Sequence, residues 1–166
     1  KLMHVSCIIL ARGGSKGIPK KNIVKFCGKP LLAWTILQAK ACKSINSIWV
    51  SSDSDEILEI AKKFGARCIR RPLQISTDRS TSEAAWKHAL DVIQMENYDP
   101  VDYVIAPQVT SPIRETKDFT FALGQIISSK KDSMLSVSEV EDYFNWKLDN
   151  NGIPVSHNHD FKRRKP

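Results

Sequence analysis

Short apolar runs alternate along the chain with longer segments in which apolar residues recur every three or four positions. The runs predict buried strands, and the longer segments predict amphipathic helices. The predicted strands cover Val5–Leu10, 48–50, Arg67–Arg70, 101–106 and 134–137. The predicted helices cover 30–42, 53–64, 80–93 and 119–127. Strands that alternate with helices are typical of an α/β fold with a mostly parallel sheet.

Polar residues at the predicted helix starts match the capping-box pattern. In this pattern an N-cap side chain and a carboxylate three residues later each accept a backbone N–H. Asp53 with Glu56 predicts the start of the second helix, and Ser80 with Glu83 predicts the start of the third.

Three loops follow predicted strands, at 11–22, 71–82 and 107–114. In parallel α/β sheets, ligands bind beyond the carboxyl ends of the strands. We therefore expect these three loops to converge on one crevice.

The first of these loops combines glycines with positive charge. Residues 1–52 contain nine Lys or Arg and no Asp or Glu, and six of the nine lie between 12 and 29. The net charge of +7 therefore comes from the first third of the chain. Glycines that admit a ligand close to the backbone, with cations around them, favour polyphosphate binding over an ordinary solvated basic face.

The glycine spacing excludes two common nucleotide motifs. Gly13, Gly14 and Gly17 fit neither G-x-G-x-x-G nor G-x-x-x-x-G-K-[ST], which disfavours a dinucleotide oxidoreductase and a P-loop ATPase.

Length and composition are those of one globular domain spanning 1–166. The longest apolar run, 7–11, is too short to cross a bilayer. The four widely spaced cysteines are interpreted as buried free thiols of a cytoplasmic protein. Near the end, Asn151-Gly152 between 146–148 and 153–155 predicts a hairpin turn.

The glycine loop, 11–22, resembles the signature of the acylneuraminate cytidylyltransferases, the CMP-sialic acid synthetases. Further segments resemble that family in the same order. They are 28–32, 50–53, 71–72, 78–82, the Gln-Val-Thr-Ser-Pro-Ile-Arg segment 108–114 and the basic cluster 162–164. The resemblance implies a Rossmann-like three-layer sandwich of the nucleotide-diphospho-sugar transferase type.

The resemblance also implies a reaction, in which the anomeric hydroxyl of a sialic-type nine-carbon keto-sugar acid attacks the α-phosphorus of CTP. Pyrophosphate leaves and a CMP-sugar forms. The implied catalytic residues are Arg12, Lys16 and Lys21. The implied nucleotide-binding residues are Leu10, Ala11, Arg12, Gly13, Lys16, Asn22, Arg71 and Ser82. The implied sugar-binding residues are Gln108, Thr110 and Ser111, with Lys147 and Arg164 as further charge contacts. Taken singly, Asn22, Arg71 and Ser82 are equally well explained by a turn, a strand end and a helix start.

Two features depart from the family pattern. Val109 replaces a proline, which changes loop stiffness. The chain also stops at Pro166, before the segment in which family members carry the Mg²⁺ ligands and much of a homodimer contact. The resemblance thus implies Mg²⁺ with ligands outside this chain, a homodimer in the complete protein, and nucleotide binding without full turnover by this chain alone.

Other functions stay open at this point. Enzymes for legionaminic or pseudaminic acid share these motifs, so the sugar acid is undetermined. A Kdo-type sugar nucleotidyltransferase is disfavoured, because that group places acidic residues where this chain has 108–111. A basic nucleic-acid-binding domain would explain the charge. Against this alternative, the aromatic residues of this chain are not interleaved with its basic residues. We expect no nucleic-acid or membrane partner.

Overall fold

The predicted elements form over most of the chain. The computed structural model describes residues 3–15, 17–96, 100–137 and 146–156. Its strands are β1 (Val5–Leu10), β2 (Lys25–Phe26), β3 (Lys29–Pro30), β4 (Ser47–Ser52), β5 (Arg67–Arg70), β6 (Tyr103–Ile105), β7 (Trp146–Leu148) and β8 (Pro154–Ser156). Its α-helices are α1 (Leu31–Ala41), α2 (Asp55–Lys63), α3 (Ser82–Glu96) and α4 (Thr116–Ser129). The chain divides into two compact units, 1–132 and 133–166.

The first unit contains a parallel sheet with strand order β5-β4-β1-β6. Cys7 of β1 lies beside Ile48 of β4 and Ile105 of β6. Successive strands are added on one side of β1 and then on the other. Where the direction of strand addition reverses, a crevice opens between the two adjacent strands at the carboxyl edge of the sheet.

Side chains of β1 alternate between two apolar clusters, one on each face of the sheet. Cys7 and Ile9 pack into a cluster with residues of α1, α2 and α4, whereas Ile8 packs with Ala89 and Ile93 of α3. Cys7, Ile8 and Ile9 are all fully buried although they face opposite sides of the sheet, which explains why these consecutive residues of β1 are all apolar. Helices therefore cover both faces of the sheet, which confirms the three-layer α/β sandwich.

The predicted caps of α2 and α3 were each wrong by one residue. Helix α2 begins at Asp55, so Asp53 does not cap it. Helix α3 begins at Ser82, and the Thr81 hydroxyl accepts the Ala84 N–H (3.3 Å). The Ser80 hydroxyl instead accepts the N–H of Thr77 (3.0 Å), within the preceding loop. Both segments contain adjacent residues able to cap a helix. Asp53 instead accepts the N–H of the distant Gly13, and Ser80 is used within its own loop.

The fifth strand predicted at 134–137 is absent from the described part of the chain. Met134, Leu135 and Val137 are exposed and pair with no described strand. A strand requires a paired neighbour, which an apolar run cannot specify by itself. In the second unit, β7 and β8 pair antiparallel around a turn in which Gly152 has φ 76°, which confirms the predicted hairpin.

The four cysteines are free thiols, as predicted, but only Cys7 and Cys42 are buried, and Cys27 and Cys68 are exposed. Burial raises the pKa of the Cys7 thiol to about 12. Among the described residues, no helix combines the length and apolar character needed to cross a bilayer.

Candidate functional site

The three loops predicted to converge do so at a cavity of about 430 Å³ in the first unit. It lies beyond the carboxyl ends of β1, β5 and β6, because Leu10, Arg71 and Gln108 follow or end these strands. Its walls also include Arg12, Ser15, Gly17, Lys21, Asn22, Ile75, Ser76, Thr77, Asp78, Ser80, Thr81, Ser82 and Thr110. Most of these groups are cationic or hydroxyl-bearing, so the cavity suits a polar, anionic ligand.

The glycine loop is held in place by neutral and acidic side chains. Gly13 donates its N–H to the Asp53 carboxylate (2.9 Å), and the Asn22 side-chain amide donates to the Arg12 carbonyl (2.9 Å). A Cβ on Gly13 would lie 3.0 Å from that of Ser54, so a side chain there would press on the segment after β4. Ala11 is fully buried and donates its N–H to the Ser51 carbonyl (3.1 Å). The glycine at 13 thus permits close packing against Ser54, and its close approach to a ligand stays a prediction.

The cations of this loop differ in their surroundings. Arg12 lines the cavity and forms an ion pair with Asp78 (Nη1–Oδ1 2.6 Å). Lys21 also lines the cavity, whereas Lys20 pairs with Glu56 of α2 (2.7 Å). Lys16 lies outside the described residues. At least two cations therefore reach the cavity from the glycine loop.

Arg71 is the buried cation of the site, with only 6% of its surface exposed. Its Nη2 donates to the Ser51 carbonyl (3.3 Å), but its Nε has no hydrogen-bond partner among the described residues. Burial lowers the pKa of Arg71; the nearby Arg12 charge lowers it further and Asp53 opposes both. A buried guanidinium N–H without an acceptor is costly, so a ligand that supplied an acceptor would bind favourably there.

The segment before α3 adds hydroxyl groups that sequence reasoning did not select. Ser82, which was selected, lines the cavity at the first turn of α3. Ser76, Thr77, Ser80 and Thr81 line it as well. Their signal was available as a Ser/Thr cluster between a predicted strand and a predicted helix.

The loop after β6 places Gln108 and Thr110 at the cavity, whereas the exposed Ser111 is not among the residues that line it. Val109, the departure from the family pattern, is 2% exposed and packs in the core.

Arg114 braces this loop, a role that sequence reasoning missed. Its guanidinium donates to the carbonyls of Gln108 and Ser111 (3.0 Å each) and to the Gln38 side-chain oxygen (3.0 Å). The Gln38 amide donates to the carbonyls of Pro112 and Arg114 (2.8 Å each). Burial lowers the pKa of Arg114. These bonds hold the backbone of the loop after β6, which carries Gln108 and Thr110.

Two predicted sugar-binding residues lie outside the first unit. Lys147 is exposed on β7 of the second unit. Arg164 lies outside the described residues.

The described residues do not by themselves fit a magnesium site. Among the described residues, no three His, Cys, Asp or Glu side chains are grouped so that they could hold a metal ion. Two carboxylates beside the glycine loop, Asp53 and Asp78, accept hydrogen bonds from Gly13 and Arg12.

A family model described as "Cytidylyltransferase" matches residues 6–158. The chain belongs to the cytidylyltransferase family. It is 40% identical over 149 residues to N-acylneuraminate cytidylyltransferase A of Danio rerio, a match that covers 89% of this chain and 33% of that protein. It is 37% identical over 136 residues to a pseudaminic acid cytidylyltransferase of Campylobacter jejuni, which covers 81% of this chain and 58% of that protein. The chain thus spans between a third and about three-fifths of these relatives.

The fold of this cytidylyltransferase-family chain also matches solved structures. One is a CMP:2-keto-3-deoxy-manno-octonic acid synthetase complexed with CTP, with a TM-score of 0.62 at 20% sequence identity. That match covers 76% of this chain and 48% of the other. At this identity the likeness establishes the nucleotidyltransferase fold.

Proposed function

We propose that this protein transfers CMP from CTP to a sialic-type nine-carbon keto-sugar acid. Membership of the cytidylyltransferase family supports the nucleotide, and the relatives at 37–40% identity support the class of acceptor. The Kdo-type alternative has weaker support, since the synthetase structure that resembles the chain is only 20% identical to it.

The observation that carries the proposal is the cavity itself, with the buried Arg71 in its wall. The Nε of Arg71, which has no hydrogen-bond partner in the described part of the chain, can donate to an acceptor that a nucleoside supplies through its base or sugar oxygens. In this proposal the Leu10 and Ala11 backbone, Asn22, Arg71 and Ser82 hold the cytidine portion of CTP.

The phosphates lie along the glycine loop in the proposed complex. Arg12, Lys16 and Lys21 neutralise the triphosphate, with Gly13 keeping the loop against Ser54. Arg12 can offer two parallel N–H groups to phosphate oxygens, whereas a lysine acts as a mobile point charge.

The acceptor sugar then lies beside the loop after β6, near Gln108, Thr110 and Ser111. Lys147 and Arg164 remain proposed contacts to the sugar acid or a phosphate.

The reaction in this proposal is an in-line displacement. The anomeric hydroxyl oxygen forms a bond to the α-phosphorus and loses its proton to solvent, the bond from that phosphorus to the bridging oxygen breaks, and pyrophosphate leaves with the electron pair. Such a transfer is accelerated chiefly by positioning and by stabilisation of developing negative charge. In this proposal the cations of the glycine loop stabilise the charge that develops on the leaving pyrophosphate.

Further parts of the proposal have other grounds. Dependence on Mg²⁺ and a homodimer follow from the family resemblance, a single nucleotidyltransferase domain over 1–166 follows from length and composition, and a cytoplasmic location follows from the free cysteines. No described residue is assigned to the ion.

Thermal unfolding tests the choice of nucleotide. Because a ligand that binds only the native state stabilises it, CTP should raise Tm more than equal concentrations of ATP or GTP. Equal shifts with every nucleotide would contradict the cytidine assignment and leave a general phosphate site.

The acceptor is tested by pyrophosphate release from CTP with N-acetylneuraminic, legionaminic or pseudaminic acid in the presence of Mg²⁺. A longer protein that contained this chain and released no pyrophosphate with any of them would count against the sugar-acid assignment.

A further inference from the structure

One carboxylate stands among the cations and hydroxyls of the cavity. Asp78 is the only acidic residue among the described residues that line it. Its Oδ1 lies 2.6 Å from Nη1 of Arg12, the cation that our proposed function assigns to the triphosphate. Both side chains are partly exposed, at 36% for Arg12 and 41% for Asp78, so a ligand entering the cavity can reach the pair.

A polyphosphate and the Asp78 carboxylate require the same guanidinium. An exposed ion pair contributes little to stability, so an anion that carries several charges can disrupt it at a small cost in free energy. After the exchange, however, the carboxylate remains in the cavity with the bound phosphates and repels them. Both effects lower the affinity of the site for polyphosphates.

We propose that Asp78 sets the phosphate affinity of the site by competing with polyphosphate for the Arg12 guanidinium. This inference rests on the proposed function in one respect only, the placement of phosphates at Arg12. A competing carboxylate keeps Arg12 directed across the cavity before nucleotide binds, and it returns to Arg12 as pyrophosphate leaves. The residue thus favours release of a product that the surrounding cations would otherwise retain.

Repulsion from Asp78 should increase with the charge of the ligand. The penalty should therefore be largest for CTP and inorganic pyrophosphate, smaller for CMP and absent for cytidine. It should also diminish as salt is added, because ions screen exposed charges.

The test is isothermal titration of wild-type protein and Asp78→Asn with CTP, CMP, cytidine and inorganic pyrophosphate, at low salt and with EDTA to remove divalent cations. The amide keeps the shape of the side chain and removes its charge. We expect Asp78→Asn to bind CTP and pyrophosphate about fivefold more tightly, the effect of one unscreened contact between unit charges in water. Cytidine affinity should not change.

Asp55→Asn is the matched control, because Asp55 forms a similar exposed ion pair with Arg70 (2.7 Å) and neither residue lines the cavity. It should leave all four affinities unchanged. In an Arg12→Ala background, the gain from Asp78→Asn should shrink, since the two anions no longer compete for one guanidinium.

Unchanged or weaker binding of CTP and pyrophosphate by a folded Asp78→Asn variant would overturn the inference. A gain of equal size in the Arg12→Ala background would overturn it too, because it would show direct repulsion without competition. Failure of the proposed function is a separate result, since it would appear as loss of the preference for CTP over ATP and GTP in the wild-type protein.

Discussion

The glycine loop and the loop after β6 meet at one cavity, yet they are built in opposite ways. In the glycine loop, Asp53 and Asn22 hold the backbone, and Arg12 and Lys21 face the cavity. In the loop after β6, a cation holds the backbone, and neutral side chains face the cavity. The positive charge of the first loop is thus available to a ligand, whereas the charge of Arg114 is used in bracing. In the proposed reaction, the first arrangement suits phosphates and the second suits an uncharged part of a sugar.

The largest effect is expected from removing a cavity-facing cation of the glycine loop. Arg12→Ala should weaken CTP binding by about 1–3 kcal/mol, the range for a hydrogen bond to a charged group. Cytidine affinity should hardly change, because cytidine has no phosphate. Titration with both ligands measures the difference. Arg70→Ala, which removes an exposed arginine outside the cavity, is the control. Normal CTP binding by Arg12→Ala would show that this loop does not receive the phosphates.

A smaller effect is expected from releasing the backbone of the same loop. Asp53→Ala removes the acceptor of the Gly13 N–H, so CTP affinity should fall by about 1–2 kcal/mol while the cations remain. The KM for the sugar acid should change less than that for CTP. Asp55→Ala provides the control, because Asp55 pairs with Arg70 and does not line the cavity. If KM for the sugar acid rose as much as KM for CTP, the two loops would not be independent.

The smallest effect is expected from loosening the loop after β6. Arg114→Ala removes three hydrogen bonds that position Gln108 and the backbone beside it. Because the guanidinium is charged, each such bond contributes about 1.5–3 kcal/mol net, and a small part of this loss should appear as a several-fold rise in KM for the sugar acid with little change for CTP. Arg114→Lys should restore little, because a single ammonium cannot span two carbonyls and an amide oxygen. Steady-state kinetics of a form that turns over, with each substrate varied in turn, separates the two KM values. A rise confined to CTP would reverse the roles assigned to the loops.

Sequence patterns alone predicted the parts of this molecule that depend on short-range physics. The apolar run of β1 is buried on both faces, and the amphipathic segments form four helices. Alternation of strands and helices implied a parallel sheet, and the parallel sheet placed three loops at one edge. The cations of the first loop were visible as a stretch without acidic residues.

Only the tertiary structure decided which of several chemically equivalent groups takes each role. Asp53 and Ser54 are both good helix caps, and the contact with Gly13, 40 residues away in the sequence, committed Asp53 to the glycine loop. The sequence did not distinguish Arg114 from an ordinary arginine at the end of a motif. Its bracing role depends on Gln38, which α1 places beside it. The apolar run 134–137 lacks a paired strand among the described residues. Local sequence determines what a residue is able to donate, accept or bury, and the partner is determined by segments that meet it only after folding.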